Sequence, residues 1–269
     1  MELTELRQLY EKQADAELVN RLYAHFDEDA RLTCSRAAQV EFLTHTRYIQ
    51  AYLKPGARIL DVGAGTGRYS IYWAERGYSV CALELADANV EAFRHKLHPG
   101  LDIQLRQGNA IDLSVYADRS FDVVLMMGPL YHLHSEADRQ RCIAEAKRVC
   151  KPEGVIFFAF LSNDMIVLTE FLNRPDFFTD TTYDHDTFKV EDFPFVFFTV
   201  EEARRILRDG GVRILREVAA DGVSELLAAQ INALDDAGYA QYLRYHFYAC
   251  EKPELIGHTN HLLLIGRGE

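Results

Sequence analysis

The sequence has few of the features that mark secreted, membrane-spanning or metal-binding proteins. Its cysteines are odd in number and widely spaced, with no Cys-x-x-Cys pair: Cys34, Cys81, Cys142, Cys150 and Cys250. This pattern indicates reduced thiols and predicts no disulfide framework, metal site or redox site. No stretch reaches the roughly 18 apolar residues of a membrane-spanning helix, and the charged first segment has no apolar run typical of a signal peptide. We therefore expect a soluble, cytoplasmic protein that binds no membrane.

Basic residues are also scarce. Lysine and arginine total 29 against 41 aspartates and glutamates, which gives a formal net charge of −12. Such a field opposes the binding of a polyanion unless positive charges are locally concentrated, so no nucleic-acid partner is expected. The 269 residues, 48% of them hydrophobic, suffice for one domain that carries an additional element.

Apolar segments alternate with segments of helical period along most of the chain. Strands are predicted at residues 58–62, 78–85, 103–105, 121–127, 154–160, 212–218 and 261–266. Helices are predicted at residues 69–76, 87–97, 135–150 and 200–208, with two more between the last two strands. Strand and helix units of this length indicate a parallel sheet with helices on both faces, because parallel neighbours need a crossover connection.

Two segments depart from this alternation. Residues 1–53 are predicted to form an N-terminal helical arm, residues 54–160 and 200–269 the α/β core, and residues 161–199 an inserted cap. The cap region is rich in phenylalanine and acidic residues, and two readings of it stay open. Its side chains either line an acceptor site suited to an amine or an apolar molecule, or form a small core of their own.

The central motif is the loop from Asp61 to Gly67, DVGAGTG, between a predicted strand and a predicted helix. Glycines let the backbone approach a ligand closely, and the following helix begins there. The glycines at 63, 65 and 67, with Arg68 after them, do not match the G-x-G-x-x-G spacing of NAD and FAD sites. This disfavours an oxidoreductase with a nucleotide cofactor.

The string ILDVGAGTGRYS closely resembles the first motif of class I S-adenosylmethionine-dependent methyltransferases. The resemblance implies a Rossmann-like, mostly parallel sheet of seven strands whose last strand, 261–266, is antiparallel. It also implies that the loop wraps the methionine portion of S-adenosylmethionine and that Asp61 helps to orient its ammonium group. The loop residues expected to bind the cofactor are Asp61, Gly63, Ala64, Gly65, Gly67 and Arg68. A glycine-rich turn without a ligand is the alternative.

Two later segments fit the same cofactor. Glu84 ends the second strand about twenty residues after the loop, where a carboxylate can bind a ribose diol, and Leu85 follows it. Gly108-Asn109-Ala110 resembles the family's G-D-A segment, in which the acidic side chain meets the adenine amino group and the next amide meets a ring nitrogen. The carbonyl of Asn109 can replace the aspartate as acceptor. The alternatives are a solvated strand end for Glu84 and an ordinary turn residue for Asn109.

Residues 121–133, FDVVLMMGPLYHL, resemble the family's fourth motif, and their GPLYHL ending resembles a branch of uncharacterised small-molecule methyltransferases. The resemblance places Met127 and Gly128 beside the cofactor. Gly128 stands where amino-methylating enzymes of nucleic acids carry Asn or Asp, which disfavours that activity. Methyl transfer mainly needs alignment of the reacting atoms. If the acceptor must lose a proton, His132 and Tyr131 are the nearest candidates, although His132 can equally be a packing residue.

The arm completes the predicted site, since such an arm often closes over the cofactor in similar methyltransferases. Arg68 and Arg47 are alternative partners for the methionine carboxylate. The predicted function is methyl transfer from S-adenosylmethionine to a small-molecule acceptor, with no metal. The alternatives are a non-catalytic S-adenosylmethionine-binding regulatory protein and, less favoured, a nucleotide-cofactor oxidoreductase.

Overall fold

A computed structural model describes residues 3–12, 14–26, 28–179 and 182–269. Residues 1, 2, 13 and 27 of the predicted arm, and residues 180 and 181 of the predicted cap, lie outside the described residues. Among the helices of the described residues, none combines the length and the apolar character needed to cross a membrane.

An eight-stranded sheet forms the centre of the molecule. Its strands are β1 (Arg58–Val62), β2 (Ser79–Glu84), β3 (Ile103–Gln107), β4 (Phe121–Met126), β5 (Cys150–Ser162), β6 (Phe197–Phe198), β7 (Val212–Ala219) and β8 (His261–Gly268). The order is β3-β2-β1-β4-β5-β8-β7, and β6 pairs with the end of β5. Strands β1 to β5 are parallel, whereas β8 is antiparallel to both β5 and β7.

The predicted mostly parallel sheet with an antiparallel last strand is therefore confirmed, with one addition. The seven predicted strands are present, and β6 adds an eighth that the sequence did not indicate. It consists of two residues that pair with Leu161 and Ser162 at the end of β5. A two-residue strand inside a phenylalanine-rich segment has no period by which it could be recognised.

The helices fall into three groups along the chain. Before the sheet lie α1 (Leu3–Glu11), α2 (Asp15–Tyr23), α3 (Glu28–Arg31) and α4 (Arg36–Gln50). Between the parallel strands lie α5 (Arg68–Ala74), α6 (Asp87–Lys96) and α7 (Glu136–Val149). After β5 lie α8 (Asn163–Asn173), α9 (Val200–Asp209), α10 (Ala228–Asn232) and α11 (Asp236–Ala249).

The central strands are apolar because both of their faces are covered. All but the first residue of β1 are buried, and Phe157, Phe158 and Phe160 of β5 are fully buried. Burial of a large apolar side chain contributes about 1.5–3 kcal/mol, so this core fixes the strands firmly. The loops at their carboxyl ends are thereby held at one edge of the sheet, where ligands collect in open α/β folds.

The predicted arm consists of two parts that pack differently. Helix α4 belongs to the main core, where Val40 and Ile49 are fully buried. Helices α1 and α2 instead share a small apolar cluster of their own, which Phe193 of the cap contacts. Arg7 of α1 forms a bidentate ion pair with Glu191, and its guanidinium lies 4.4 Å from the centre of the Phe193 ring. Arm and cap therefore meet.

Candidate active site

A cavity of about 950 Å³, including its opening to solvent, lies at the carboxyl edge of β1, β2, β3 and β4. Its floor is formed by the segments that follow these strands: residues 63–66, 83–85, 108–110 and most of 127–133. Helices α2 and α3 cover it with residues 15, 16, 19, 23, 28 and 31.

The backbone of the glycine loop is held in place by hydrogen bonds to β2 and by close packing against the turn after β4. The amides of Gly63 and Ala64 both donate to the carbonyl of Leu83, at 2.8 and 3.1 Å. Gly63 has a φ of +71°, and a Cβ there would lie only 2.9 Å from Cδ of Pro129. A side chain at position 63 would therefore strain the backbone and push away the turn after β4.

Two loop residues predicted to bind the cofactor do not line the cavity. Asp61 is buried, and its carboxylate accepts a hydrogen bond from Ser70 Oγ at 2.6 Å. Burial raises the pKa of Asp61 to about 6. Gly67 begins α5 in the left-handed region, and a Cβ there would overlap the ring of Phe93. Both residues therefore support the loop without lining the cavity, Asp61 through its bond to Ser70 and Gly67 through the turn into α5.

Glu84 is a buried group rather than a solvated strand end. Its carboxylate lines the cavity and accepts hydrogen bonds from the amides of Gly65 at 2.7 Å and Ala86 at 2.8 Å. Burial raises the pKa of Glu84, while these donors oppose the rise. The neighbouring Leu85 also lines the cavity. Glu84 thus ties the glycine loop to the end of β2 and keeps an acceptor at the cavity wall.

Asn109 and Ala110 line the same wall after β3. The side-chain oxygen of Asn109 accepts a hydrogen bond from the amide of Ile111 at 3.2 Å, so it also stabilises the local turn. A carbonyl oxygen has two lone pairs, and the second remains for a ligand. The two readings of Asn109, as a turn residue and as a ligand acceptor, are therefore compatible.

His132 and Tyr131, which follow β4, line the cavity together with Tyr23 of the arm. His132 Nε2 and the Tyr23 hydroxyl share a hydrogen bond of 3.0 Å. Burial lowers the pKa of His132 to about 3, so its imidazole is neutral at physiological pH. The Tyr131 hydroxyl donates to the Met127 carbonyl at 2.9 Å, and burial raises the pKa of Tyr131. Tyr131 is therefore a neutral hydroxyl whose proton is already engaged.

The arm contributes charged groups to the cavity wall. Glu28 and Arg31 line the cavity and form an ion pair with 3.0 Å between Oε1 and Nε. Asp15 also lines it, and its carboxylate bonds His134 twice, at 2.9 Å from the backbone amide and at 2.7 Å from the ring atom Nδ1. Helical period alone does not reveal which loop an arm crosses, so the sequence did not indicate Glu28 or Asp15 as site residues.

The two arginines proposed for the methionine carboxylate differ in position. Arg68 lines the cavity, with its guanidinium 4.9 Å from the centre of the Phe42 ring. Arg47 lies outside the cavity, exposed, with its guanidinium 4.7 Å from the centre of the Phe247 ring. The alternative that used Arg47 is therefore wrong, because α4 directs this side chain to another surface.

The described residues of the cap do not line the cavity, as they would if their side chains bound the acceptor. Of the residues that the structure describes between 161 and 199, none lines the cavity. Phe195 instead packs behind the site, with its ring centre 5.1 Å from that of His132. Phe177 is buried and stacks on Tyr183 at 5.0 Å, but both residues belong to the same apolar cluster as the sheet, so these rings of the cap extend the main core instead of forming one of their own. The arm, and not the cap, adds the carboxylates of Asp15 and Glu28 to the cavity wall.

A network of buried charged side chains supports α3, one of the two helices that cover the cavity. Arg31 Nη1 donates to Glu41 at 2.7 Å, and Glu41 lies 3.4 Å from His261 Nδ1, which also bonds Asp221 at 2.7 Å. Burial opposes these charges, but Arg31 and His261 lower the pKa of Glu41 to about 2. Burial likewise disfavours protonation of His261, yet Glu41 and Asp221 raise its pKa to about 9. The network joins α3 and α4 to the start of β8.

Residues 60–158, less than half of the chain, match a family model described as "Methyltransferase domain". A ubiquinone biosynthesis O-methyltransferase of Hahella chejuensis is 34% identical over 111 residues, which is 41% of this chain and 45% of that protein. A putative methyltransferase, YqeM, of Bacillus subtilis is 32% identical over 42% of this chain and 46% of that protein. The chain thus spans about half the length of the curated relatives it matches.

Solved structures resemble the chain over more of its length. A structure described as a SAM-dependent methyltransferase from Methanosarcina mazei has a TM-score of 0.54 and 21% identity, and covers 82% of this chain and 96% of its own. A protein of Pyrococcus horikoshii has a TM-score of 0.58 at 16% identity, and covers 91% of this chain and 100% of its own. At such identities the likeness shows the fold.

Proposed function

We propose that this chain, which carries a class I S-adenosylmethionine-dependent methyltransferase domain, transfers a methyl group from S-adenosylmethionine to a small organic acceptor. One observation carries the proposal. A single cavity is lined by the glycine loop and Glu84 and also by aromatic side chains and the neutral imidazole of His132. A cofactor and an acceptor can therefore meet inside it, covered by the arm.

The residues present fit this cofactor. Gly63 and Gly65 line the cavity without side chains, and so does Glu84, the predicted acceptor for the ribose diol. Asn109 and Ala110 offer an acceptor and an amide to a flat ring. When bound, S-adenosylmethionine would supply a methyl group on a positively charged sulfur. The roles of these residues stay predictions until binding is measured.

We take the part of the cavity around His132 and Tyr23 as the acceptor end. Aliphatic and aromatic side chains line the cavity, and aromatic faces attract apolar groups and cations, so this lining suits a small apolar molecule or an amine. Alignment of the reacting atoms contributes most to such a displacement. A hydroxyl or ammonium acceptor must also release a proton. We assign its acceptance to His132, because its neutral imidazole lines the cavity and is the nearest nitrogen base by sequence, although the pKa of about 3 makes it a weak base.

Tyr131 has a different part in this proposal. Its hydroxyl holds the Met127 carbonyl, so it shapes the end of β4 next to the acceptor and accepts no proton. The relatives named for ubiquinone biosynthesis are O-methyltransferases, which makes hydroxyl compounds a necessary arm of any acceptor screen. Action in the cytoplasm stays a prediction.

The first test is calorimetric binding of S-adenosylmethionine and S-adenosylhomocysteine. Gly65→Asp places a negative charge beside Glu84 at a φ of +55°, and Glu84→Ala removes the ribose acceptor, so both variants should weaken binding at least about tenfold. The exposed substitutions Gly100→Asp and Glu75→Ala are matched controls that should bind as the wild type does. A folded wild-type protein that binds neither compound would refute the proposal.

Turnover is then measured as S-adenosylhomocysteine release with amines, phenols and their phosphorylated counterparts. We expect activity with an uncharged or cationic acceptor and none with its phosphate ester, because the carboxylate of Asp15 lines the cavity close to His132. Cofactor binding without turnover on any acceptor would favour the non-catalytic alternative. A phosphorylated acceptor that exceeds its parent compound would refute the assignment of the acceptor class.

A further inference from the structure

Two of the three partners expected for the charged end of the cofactor do not line the cavity. S-adenosylmethionine ends in an α-ammonium and an α-carboxylate, a zwitterion whose two charges lie close together. Asp61, the expected ammonium partner, does not line the cavity and is engaged by Ser70. Arg47, one of the two expected carboxylate partners, lies on another surface. Arg68 alone of the three lines the cavity, so the ammonium needs another partner and the carboxylate has room for one.

An ion pair of matching shape lies beside the glycine loop. Glu28 and Arg31 are one helical turn apart on α3, and both side chains are partly buried, with 17% and 26% of their surface exposed. Arg31 uses Nε for Glu28 and Nη1 for Glu41. Among the described residues, no hydrogen bond is made to Glu28 Oε2 or by Arg31 Nη2. One anionic acceptor atom and one cationic donor group thus remain in the cavity wall.

The position of Glu28 ties this pair to the cofactor end of the cavity. A Cβ built on Gly65 would lie 3.3 Å from Glu28 Cγ, and no other atom comes within 4 Å of it. Glu28 therefore lies directly over the loop that receives the methionine portion in the proposed function. His132, at the acceptor end, bonds Tyr23 instead.

We propose that Glu28 and Arg31 bind the amino-acid end of S-adenosylmethionine, with Glu28 accepting hydrogen bonds from the ammonium and Arg31 donating to the carboxylate. This inference rests on the proposed function. An ion pair matches a zwitterion because each charge of the ligand meets its opposite while the net charge of the site is unchanged. A singly charged acceptor would leave one member of the pair opposed to a like charge.

Arg31 is suited to bind the carboxylate because a second carboxylate, that of Glu41, already holds its guanidinium. Glu41 fixes its guanidinium at 2.7 Å, and Glu41 in turn lies 3.4 Å from His261. A guanidinium already oriented in this way loses little conformational freedom when it binds a carboxylate. Arg68, which also lines the cavity, is exposed and stacks on Phe42, so it lacks such a support.

The test compares three ligands that differ only at this end. S-adenosylhomocysteine carries both charges, its decarboxylated analogue carries only the ammonium, and 5′-methylthioadenosine carries neither. Glu28→Gln should weaken binding of the first two about tenfold or more and leave the third within about twofold. Arg31→Met should weaken only the first, because only that ligand has a carboxylate. Calorimetry or competition gives each dissociation constant without any turnover.

Matched controls are Glu17→Gln and Arg21→Met, exposed positions on α2 that should leave all three ligands unaffected. Arg68→Met distinguishes the two arginines. If Arg68→Met weakens binding of S-adenosylhomocysteine alone and Arg31→Met does not, the assignment of Arg31 is overturned. Glu28→Gln keeps its shape and tests the ammonium contact even if Arg31→Met fails to fold. Equal weakening of all three ligands, or of none, would overturn the inference. A wild-type protein that binds no ligand would instead refute the proposed function.

Discussion

Replacing His261 by glutamine should destabilise the protein in a way that depends on pH. Its imidazole Nδ1 lies 2.7 Å from Asp221 and 3.4 Å from Glu41, with Arg31 on the far side of Glu41 and His45 beside it. Burial opposes the charge, but the two carboxylates raise the pKa of His261 from 6.5 to about 9. Glutamine fills a similar volume and cannot carry the charge.

The magnitude follows from the shift. One pKa unit corresponds to about 1.4 kcal/mol, so a rise from 6.5 to about 9 is worth about 3 kcal/mol. Because the folded-state pKa is raised, the contribution is complete below the unfolded-state pKa and is lost as the pH rises through about 9. The expected loss of unfolding free energy in His261→Gln is about 3 kcal/mol at pH 5.5, about 2 kcal/mol at pH 7.4 and close to zero at pH 9.5.

The assay is urea unfolding of both proteins at these three pH values. The matched control is His95→Gln, since His95 is 76% exposed and pairs only with Glu91 among the described residues, so its effect should stay below about 0.5 kcal/mol. A difference between wild type and His261→Gln that is the same at pH 5.5 and pH 9.5 would refute the reasoning. It would mean that shape, and not charge, accounts for the effect.

Three further predictions concern the cavity and its cover. Gly63→Ala should lower the free energy of unfolding by about 1–2 kcal/mol, measured by urea unfolding, because its φ of +71° disfavours a side chain; an unchanged value would contradict the strain. Tyr23→Phe should lower kcat about tenfold, because it removes the hydrogen bond that orients His132, while the dissociation constant of S-adenosylhomocysteine stays the same. Equal kcat values for the variant and the wild type would exclude a role of Tyr23 in orienting His132. Asp15→Asn should make the arm more sensitive to proteolysis, because it weakens the bond between Asp15 and His134, and His134→Gln should have the same effect. If both variants resist proteolysis as well as the wild type does, other contacts hold the arm.

Sequence patterns predicted the parts of the molecule whose structure depends on neighbouring residues. The strands around the glycine loop are apolar because both faces are covered, and Gly63 and Gly65 are needed for positive φ and close contact. Glu84 was identifiable because a strand end lies at a fixed distance after such a loop. These features recur whenever a strand, a glycine loop and a helix follow one another.

The remaining features depend on contacts between distant segments. Asp61 has the expected place in the motif, yet its rotamer is set by Ser70 nine residues later on α5. Glu28 reaches the loop only because α2 and α3 cross the cavity, and that path is fixed by Asp15 and His134, 119 residues apart. Helical period defines the faces of a helix but contains no information on the direction in which a short arm crosses a sheet.

The pairing of the arm with late parts of the chain has a consequence for biosynthesis. Arg7 bonds Glu191 across a separation of 184 residues, and Arg31 is stabilised through Glu41 by His261. A chain that leaves the ribosome in order therefore exposes helices α1 and α2 before any of these partners exists. The contacts that hold the cover of the cavity, helices α2 and α3, are therefore complete only after β8 has been synthesised. The central strands can thus pair before the ligand-binding space is fully closed.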